Sequence, residues 1–274
     1  MPSRALGVAA AGAGTALAWS LFESQWIEFA ELDLPVAGLP PELDGLRILH
    51  LSDFHLGALG LNARTLERAV SWAERRDPDL VVVTGDLLTH PRGEATLRRC
   101  LGRLRARYGV YAVLGNHDVA ETRDPFSKAS DIGDLDDAGV RLLSDSAHVF
   151  EARGVRVQVA GVSPSAYMLR RADPDRLADP AAAFRILLCH FPEIVDVASP
   201  GTYAVALAGH LHGGQICVPY PGGKLRLSHV RGAYWEGVFR IDATTLHVSR
   251  GLGTTFVPFR LFARPEATEL VLRA

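Results

Sequence analysis

Five short, nearly apolar runs in this chain each end on a polar residue, and that recurrence restricts the fold more than any other feature. Residues 46–52 (LRILHLS) lead into Asp53-Phe54-His55, residues 80–84 (LVVVT) into Gly85-Asp86, and residues 110–114 into Gly115-Asn116-His117-Asp118. Residues 186–189 end at His190, and residues 204–208 deliver Gly209-His210-Leu211-His212-Gly213-Gly214-Gln215. Continuous apolarity over four or five residues suits a parallel strand covered on both faces. Amphipathic stretches separate the first three runs. One starts at Asn62 as a cap and continues to about Arg76, with Leu66, Ala69, Val70 and Ala73 on one face and Asp77-Pro78 as its stop. The other covers residues 94–108, with Leu97, Leu101 and Leu104 turned inward. The rhythm predicts a layered α/β fold, whose sites gather at the carboxyl ends of strands.

The remainder is more β-like. Residues 131–138 predict a short helix stopped by Gly139, and residues 149–151 and 155–162 a hairpin about Arg153-Gly154. Residues 163–180 form a proline-bearing polar insertion, and residues 234–241, 246–249 and 269–272 predict antiparallel strands of a second sheet. Residues 28–45, with Pro35, Pro40 and Pro41, read as a linker between an N-terminal segment (1–27) and one domain (46–274). In that segment Arg4 precedes an apolar run from Ala5 to Phe22, close to the ~20 residues a membrane span needs. Trp19 and Trp26 stand where interfacial aromatics belong, so an uncleaved anchor with its N-terminus inside is expected. The alternative is an exported chain, cleaved at Ala16-Leu17-Ala18.

A net charge of −2 and a pI of about 6.6 give no electrostatic case for nucleic acid as the main partner. Cys100, Cys189 and Cys217 are odd in number and widely spaced, as buried free thiols are. Neither a G-x-S-x-G elbow nor a Walker loop occurs. The arginines at 98, 99, 103, 105 and 107 read as a solvated helix face, and Tyr220, Tyr234 and Trp235 as packing for the second sheet.

The strand-end candidates are Asp53, His55, Asp86, Asn116, His117, His190, His210 and His212. Singly, each has a structural explanation as a cap, a turn residue or a core histidine. Jointly they do not, because acids and imidazoles gathered in an apolar fold destabilise it unless a cation compensates. An H-x-H pair in extended chain aims both rings one way. Oxygen and nitrogen ligands without thiolate suit Mn, with Fe or Zn as alternatives.

D-x-H, G-D, G-N-H-D, an isolated His and G-H-x-H, in this order, resemble the calcineurin-like metallophosphoesterase superfamily from about residue 46 to the C-terminus. The resemblance implies an α/β/β/α sandwich of two mixed sheets flanked by helices. It also implies two divalent metal ions, one on Asp53, His55 and His212, the other on Asn116, His190 and His210, with Asp86 bridging. His117 would sit beside the substrate and protonate or stabilise the leaving oxygen. Such ion pairs, about 3.5–4 Å apart, acidify a shared water and clamp an in-line displacement at phosphorus. Some relatives orient the equivalent histidine with an aspartate after G-D, where Leu87, Leu88 and Thr89 stand here.

The extended G-H-x-H-G-G-Q and the closing G-L-G…R-L-F-x-R-P-E (residues 251–253 and 260–266) resemble a narrower bacterial branch. Its members carry a membrane segment or export signal, and some are UDP-2,3-diacylglucosamine hydrolases of lipid A synthesis. This second resemblance implies a phosphodiesterase or pyrophosphatase at the bacterial cytoplasmic membrane acting on a lipid- or envelope-linked phosphate ester, with Arg250 and Arg260 as phosphate contacts. A nuclease or cyclic-nucleotide phosphodiesterase with the same metal core is the alternative.

Overall fold

A computed structural model describes residues 2–130, 132–228 and 232–274, with backbone alone for residues 2–11 and 13. In chain order the strands are β1 (Glu28–Pro35), β2 (Arg47–Leu51), β3 (Leu80–Thr84), β4 (Val110–Val113), β5 (Val140–Leu142), β6 (Ser146–Ala152) and β7 (Val155–Gly161). They continue with β8 (Phe184–Leu188), β9 (Val205–Ala208), β10 (Cys217–Tyr220), β11 (Gly223–Arg226), β12 (Gly237–Ile241), β13 (Thr244–Val248) and β14 (Glu266–Arg273). The helices are α1 (Pro2–Glu23), α2 (Asn62–Ala73), α3 (Glu94–Leu101), α4 (Pro164–Met168) and α5 (Pro174–Leu177).

Two six-stranded mixed sheets result, ordered β1-β14-β2-β3-β4-β5 and β12-β13-β9-β8-β7-β6, with β10-β11 a separate hairpin. Between them lies an aliphatic layer that includes Ile48, Leu80 and Val82 from the first sheet and Val159, Ile186, Val205 and Leu207 from the second. On its other face the first sheet buries Leu49, Leu51, Val81 and Val83 against Leu66, Val70, Leu97 and Leu101 of α2 and α3. The second sheet's outer face is covered by Phe191, Ile194, Val195 and Tyr203 on short helical turns and loops. Alternate residues of one strand thus fill two different apolar layers, which is why β2, β3 and β4 read as unbroken apolar runs. Strands β2, β3 and β4 are mutually parallel, as are β7, β8, β9 and β13, and both sets send their carboxyl ends to one edge.

Several local expectations are corrected. The stretch read as linker holds β1, which pairs in parallel with β14 at the edge of the first sheet. Strand β14 itself joins the first sheet, antiparallel to β2, rather than the second. Helix α3 stops at Leu101 instead of Tyr108, where Gly102 removes the helix-favouring side chain. Asn62 is not a cap, since its amide donates to the carbonyls of His55 and Thr254 and so ties the Asp53 loop to the 254 loop. The helix expected over 131–138 is a single turn, Asp136–Ala138, ended by Gly139 at φ 70°; Asp131 lies outside the described residues. As expected, β6 and β7 form a hairpin across Arg153 (φ 51°) and Gly154 (φ 83°). All three cysteines are buried and free.

Helix α1 covers the stretch expected as a membrane segment. Among the described residues no helix is long and apolar enough to cross a membrane. Its C-terminal end docks on the 260–264 loop: the Arg260 backbone N–H donates to Ser20 O at 3.2 Å and that of Ala263 to Glu23 at 2.8 Å.

Candidate metal centre

The edge where the strand ends meet is crowded to the limit of backbone approach. A Cβ on Gly115 would overlap the Asp86 carboxylate, and one on Gly209 would overlap Ser52 and Asp53, so only glycine lets these turns close over the acids. Asp53, His55, Asp86, His210 and His212 all hold left-handed backbone, with φ of 53°, 47°, 52°, 77° and 50°. Such conformations each cost roughly 1 kcal/mol or more for a non-glycine residue and persist only where the surroundings over-determine them.

All eight strand-end candidates converge here. Asp53, His55 and His212 bring one ligand atom each within 4.8 Å of one another; so do Asp86, His190 and His210, and a third grouping joins His55, Asp86 and His117. Asp86 Oδ2 lies 3.2 Å from His190 Nε2 and 3.5 Å from His55 Nε2, so one carboxylate faces both halves of the cluster. Ring nitrogens also face each other in pairs, His55 Nε2 to His212 Nε2 at 3.0 Å and His210 Nδ1 to His190 Nε2 at 3.1 Å. Asn116 Oδ1 is buried and has no hydrogen-bond partner among the described residues. Acceptor lone pairs that converge in this way, with an orphan amide oxygen beside them, fit the donor set of divalent cations.

Neighbours hold the rings from behind. His55 Nδ1 is 2.9 Å from Thr89 Oγ1, and His190 Nδ1 is 2.9 Å from the carbonyl oxygen of Thr84. A carbonyl only accepts, so His190 Nδ1 carries the proton and Nε2 presents its lone pair when the ring is neutral. Electrostatics separate the two acids. Burial, opposed by His190 and reinforced by Asp86, raises the Asp53 carboxyl to about 6. Burial acts upward on Asp86 too, but His190 and His117 hold it well below the usual carboxylate range. His190 is drawn down by burial yet lifted to about 9, chiefly by Asp86.

Asp118, the last residue of G-N-H-D, stands outside the strand-end candidates but is central to the construction. It accepts the backbone N–H groups of Leu87 (3.2 Å), Leu88 (2.7 Å) and Gly115 (2.8 Å). His117 Nε2 lies 3.2 Å from Thr122 Oγ1, while its Nδ1 is buried without a partner among the described residues. Thr122 is therefore the hydroxyl that faces this ring; Thr89, in the region after G-D, serves His55 instead.

A cavity of about 630 Å³ opens over the cluster, lined by Asp86, Asn116, His117, His210 and His212 on its floor and by Met168, Phe191 and Phe256 on an apolar side. Neither Arg250 nor Arg260 lines it, which corrects their expected contact with substrate. Arg260 is fully buried behind His212, its guanidinium donating to the carbonyls of Gly253, Arg250 and Ala263 and standing 3.1 Å from His212 Nδ1. Arg250 is spent on Glu28 (2.9 Å) and Glu266 (2.6 Å). Of the arginines expected on one helix face only Arg98 and Arg99 lie on α3, and the stretch is a paired surface, with Arg98 on Glu94 and Asp137, Arg99 on Glu67 and Arg103, beyond the helix, on Glu74. Tyr234 bonds Asp196, and Trp235 lies under Arg226.

Residues 46–214 match the family described as calcineurin-like phosphoesterase. Over 280 residues the chain is 29% identical to the uncharacterized metallophosphoesterase YkuE of Bacillus subtilis (strain 168), covering 98% of this chain and 93% of that protein. It is 26% identical to the phosphodiesterase YaeI of Escherichia coli (strain K12), covering 82% of each. Identity is also 26% with the UDP-2,3-diacylglucosamine pyrophosphatase LpxG of Chlamydia muridarum (strain MoPn / Nigg), over 89% of this chain and 88% of that one.

Proposed function

The chain belongs to the calcineurin-like phosphoesterases, and on that premise we propose that it hydrolyses a phosphodiester or pyrophosphate bond using two divalent cations gathered at the shared edge of its sheets. That it is a metal-dependent phosphoric ester hydrolase follows from the family and the clustered acids and imidazoles. Asp53, His55 and His212 would hold one cation, Asn116, His190 and His210 the other, and Asp86 would serve both. The observation that carries this reading is the position of Asp86, within 3.5 Å of an imidazole from each half. When bound, such ions supply Lewis-acid neutralisation of phosphoryl charge and an acidified water. His117, on the cavity floor, delivers a proton to the leaving oxygen or steadies it.

Mn is the favoured ion, with Fe or Zn as alternatives, because the donors are imidazole, carboxylate and amide oxygen without thiolate. Stripping the protein with chelator and restoring Mn²⁺ should abolish and then recover hydrolysis of bis-p-nitrophenyl phosphate. Turnover that survives exhaustive chelation would sink the proposal.

The substrate we favour is lipid- or envelope-linked, with UDP-2,3-diacylglucosamine as the specific candidate. Support comes from the activity for which the Chlamydia relative is named and from the apolar side of the cavity. Met168 is shared with a neighbouring cavity of about 510 Å³ that Tyr167, Ala172 and Val197 also line, room for an apolar substituent beside the cluster. Location at the bacterial cytoplasmic membrane is proposed on the exposed Leu17, Trp19, Leu21, Phe22 and Trp26 around the C-terminal part of α1. Release of uridine monophosphate from the diacylated substrate, against none from UDP-N-acetylglucosamine, is the expected result; equal turnover of both would remove the lipid assignment.

A further inference from the structure

The layer between the two sheets is mainly aliphatic, with Tyr111 and Phe184 among its aromatic members, and at the end nearest the cluster two imidazoles face each other across it. His50 of β2 and His247 of β13 are both fully buried, and their Nδ1 atoms stand 2.8 Å apart. Burial disfavours charge on both; the His247 ring adds to it at His50, while at His247 Glu266 opposes it and Arg250 adds to it. Two neutral imidazoles placed among valines and leucines destabilise a core unless their polar atoms are matched.

The matching runs toward the cluster. His50 Nε2 lies 2.8 Å from Thr84 Oγ1, Thr84 Oγ1 lies 2.8 Å from Ser52 Oγ, and Ser52 Oγ lies 2.5 Å from Asp53 Oδ2. The direction of every bond is set by the last one. An ionised carboxylate only accepts, and at 2.5 Å it outcompetes the Thr84 carbonyl oxygen 3.1 Å from the same hydroxyl, so the single Ser52 proton goes to Asp53. Ser52 must then accept from Thr84, and Thr84 from His50 Nε2–H. A neutral His50 protonated at Nε2 accepts at Nδ1, so His247 donates from its own Nδ1. The line stops at His247 Nε2, 3.8 Å from Glu266 Oε1. All of its donors point one way, at one oxygen of Asp53. The other oxygen, Oδ1, is 3.4 Å from His212 Nε2 and 4.0 Å from His55 Nε2.

We propose that His50 and His247 are positioning residues that, through Thr84 and Ser52, fasten Oδ2 of Asp53 and so present Oδ1 to the cation shared with His55 and His212. The inference rests on the two-cation reading above but goes beyond it, because none of these four side chains touches the cavity. Thr84 extends the effect, since its carbonyl also accepts from His190 Nδ1 at 2.9 Å. Hydrogen-bonding partners of metal ligands typically alter metal affinity by about 10–100-fold when removed.

The test is calorimetric titration of the metal-stripped full-length chain with Mn²⁺, with thermal melting and circular dichroism in parallel. Wild type should show two binding events. His50→Leu and Ser52→Ala should each weaken one of them about 10–100-fold and leave the other nearly unchanged, while His50→Gln, which keeps a donor toward Thr84, should recover most of the loss. Ser52→Ala removes a single hydroxyl and decides the matter if His50→Leu fails to fold. Folded variants that bind both ions as wild type does, whatever their melting temperature, would overturn the inference and leave the phosphoesterase reading intact. Wild type that binds no Mn²⁺ would instead overturn the two-cation reading, and the inference with it.

Discussion

Asp118 accepts the Leu88 backbone N–H at 2.7 Å and thereby locks the turn after β3 to the turn after β4. Together with its bonds to Leu87 and Gly115, it holds Asp86 and Asn116 at a fixed separation without touching the cavity. Asp118→Ala would strand buried N–H groups, each worth about 1–3 kcal/mol. A loss of at least 3 kcal/mol or so in chemical denaturation is expected, with a raised Mn²⁺ requirement for turnover in the protein that still folds. A stability change within about 0.5 kcal/mol, the range of ordinary surface substitutions, would count against the lock.

Asp86→Ala removes the carboxylate that, among the described residues, lies within 3.5 Å of an imidazole from each set. Hydrolysis of bis-p-nitrophenyl phosphate should fall by at least about a hundredfold, more than supporting partners usually cost, and Mn²⁺ stoichiometry measured on the purified protein should drop below two. Retention of both ions and of wild-type turnover would refute the bridging assignment.

His190 gives a pH dependence of definite sign. In the metal-free protein burial pulls its pKa down, but Asp86 at 3.2 Å outweighs that pull and the value is about 9; unfolded, the ring titrates near 6.5. Between those values the native chain binds more protons than the unfolded one, so this contribution to stability is complete below about 6.5 and is lost as pH rises through about 9. A metal ion needs the neutral ring and expels that proton, so affinity climbs over the same interval. Melting temperatures of stripped protein should therefore decline from pH 6.5 to 9 while the increment added by Mn²⁺ grows. Increments that shrink with pH would contradict the ligand role.

Among the described residues Arg260 is the largest fully buried side chain, and its donors go to carbonyls of the 250–253 and 263 segments while its backbone holds Ser20. Lysine cannot reproduce that fork. Arg260→Lys should cost about 2–4 kcal/mol through carbonyls left without donors and should expose α1 to proteolysis after Ser20. Weaker substrate binding with unchanged stability would restore a phosphate contact instead.

The cluster is legible in the sequence because its parts sit at the ends of apolar runs, and parallel strands bring such ends together whatever the intervening loops do. What the runs conceal is also physical. His50 lies inside one of them, LRILHLS, and only the face-to-face packing of β2 on β13 of the other sheet, nearly two hundred residues away, reveals its partner. Asp118 acts on backbone N–H groups, which carry no residue identity to read. Strand β1 alternates exposed and half-buried positions and ends in proline, so it resembles a tether until β14 pairs with it. Arg260 is expected as a phosphate contact through the branch resemblance alone; its burial depends on a loop closing over it.

The left-handed turns at Asp53, His55, Asp86, His210 and His212 have a consequence for descent. Were hydrolysis no longer selected, drift at those positions should run toward glycine, which relaxes the backbone as it erases the chemistry. Relatives that have lost activity ought then to carry a recognisable scar, and His212→Gly in the stripped protein should resist urea better than His212→Ala.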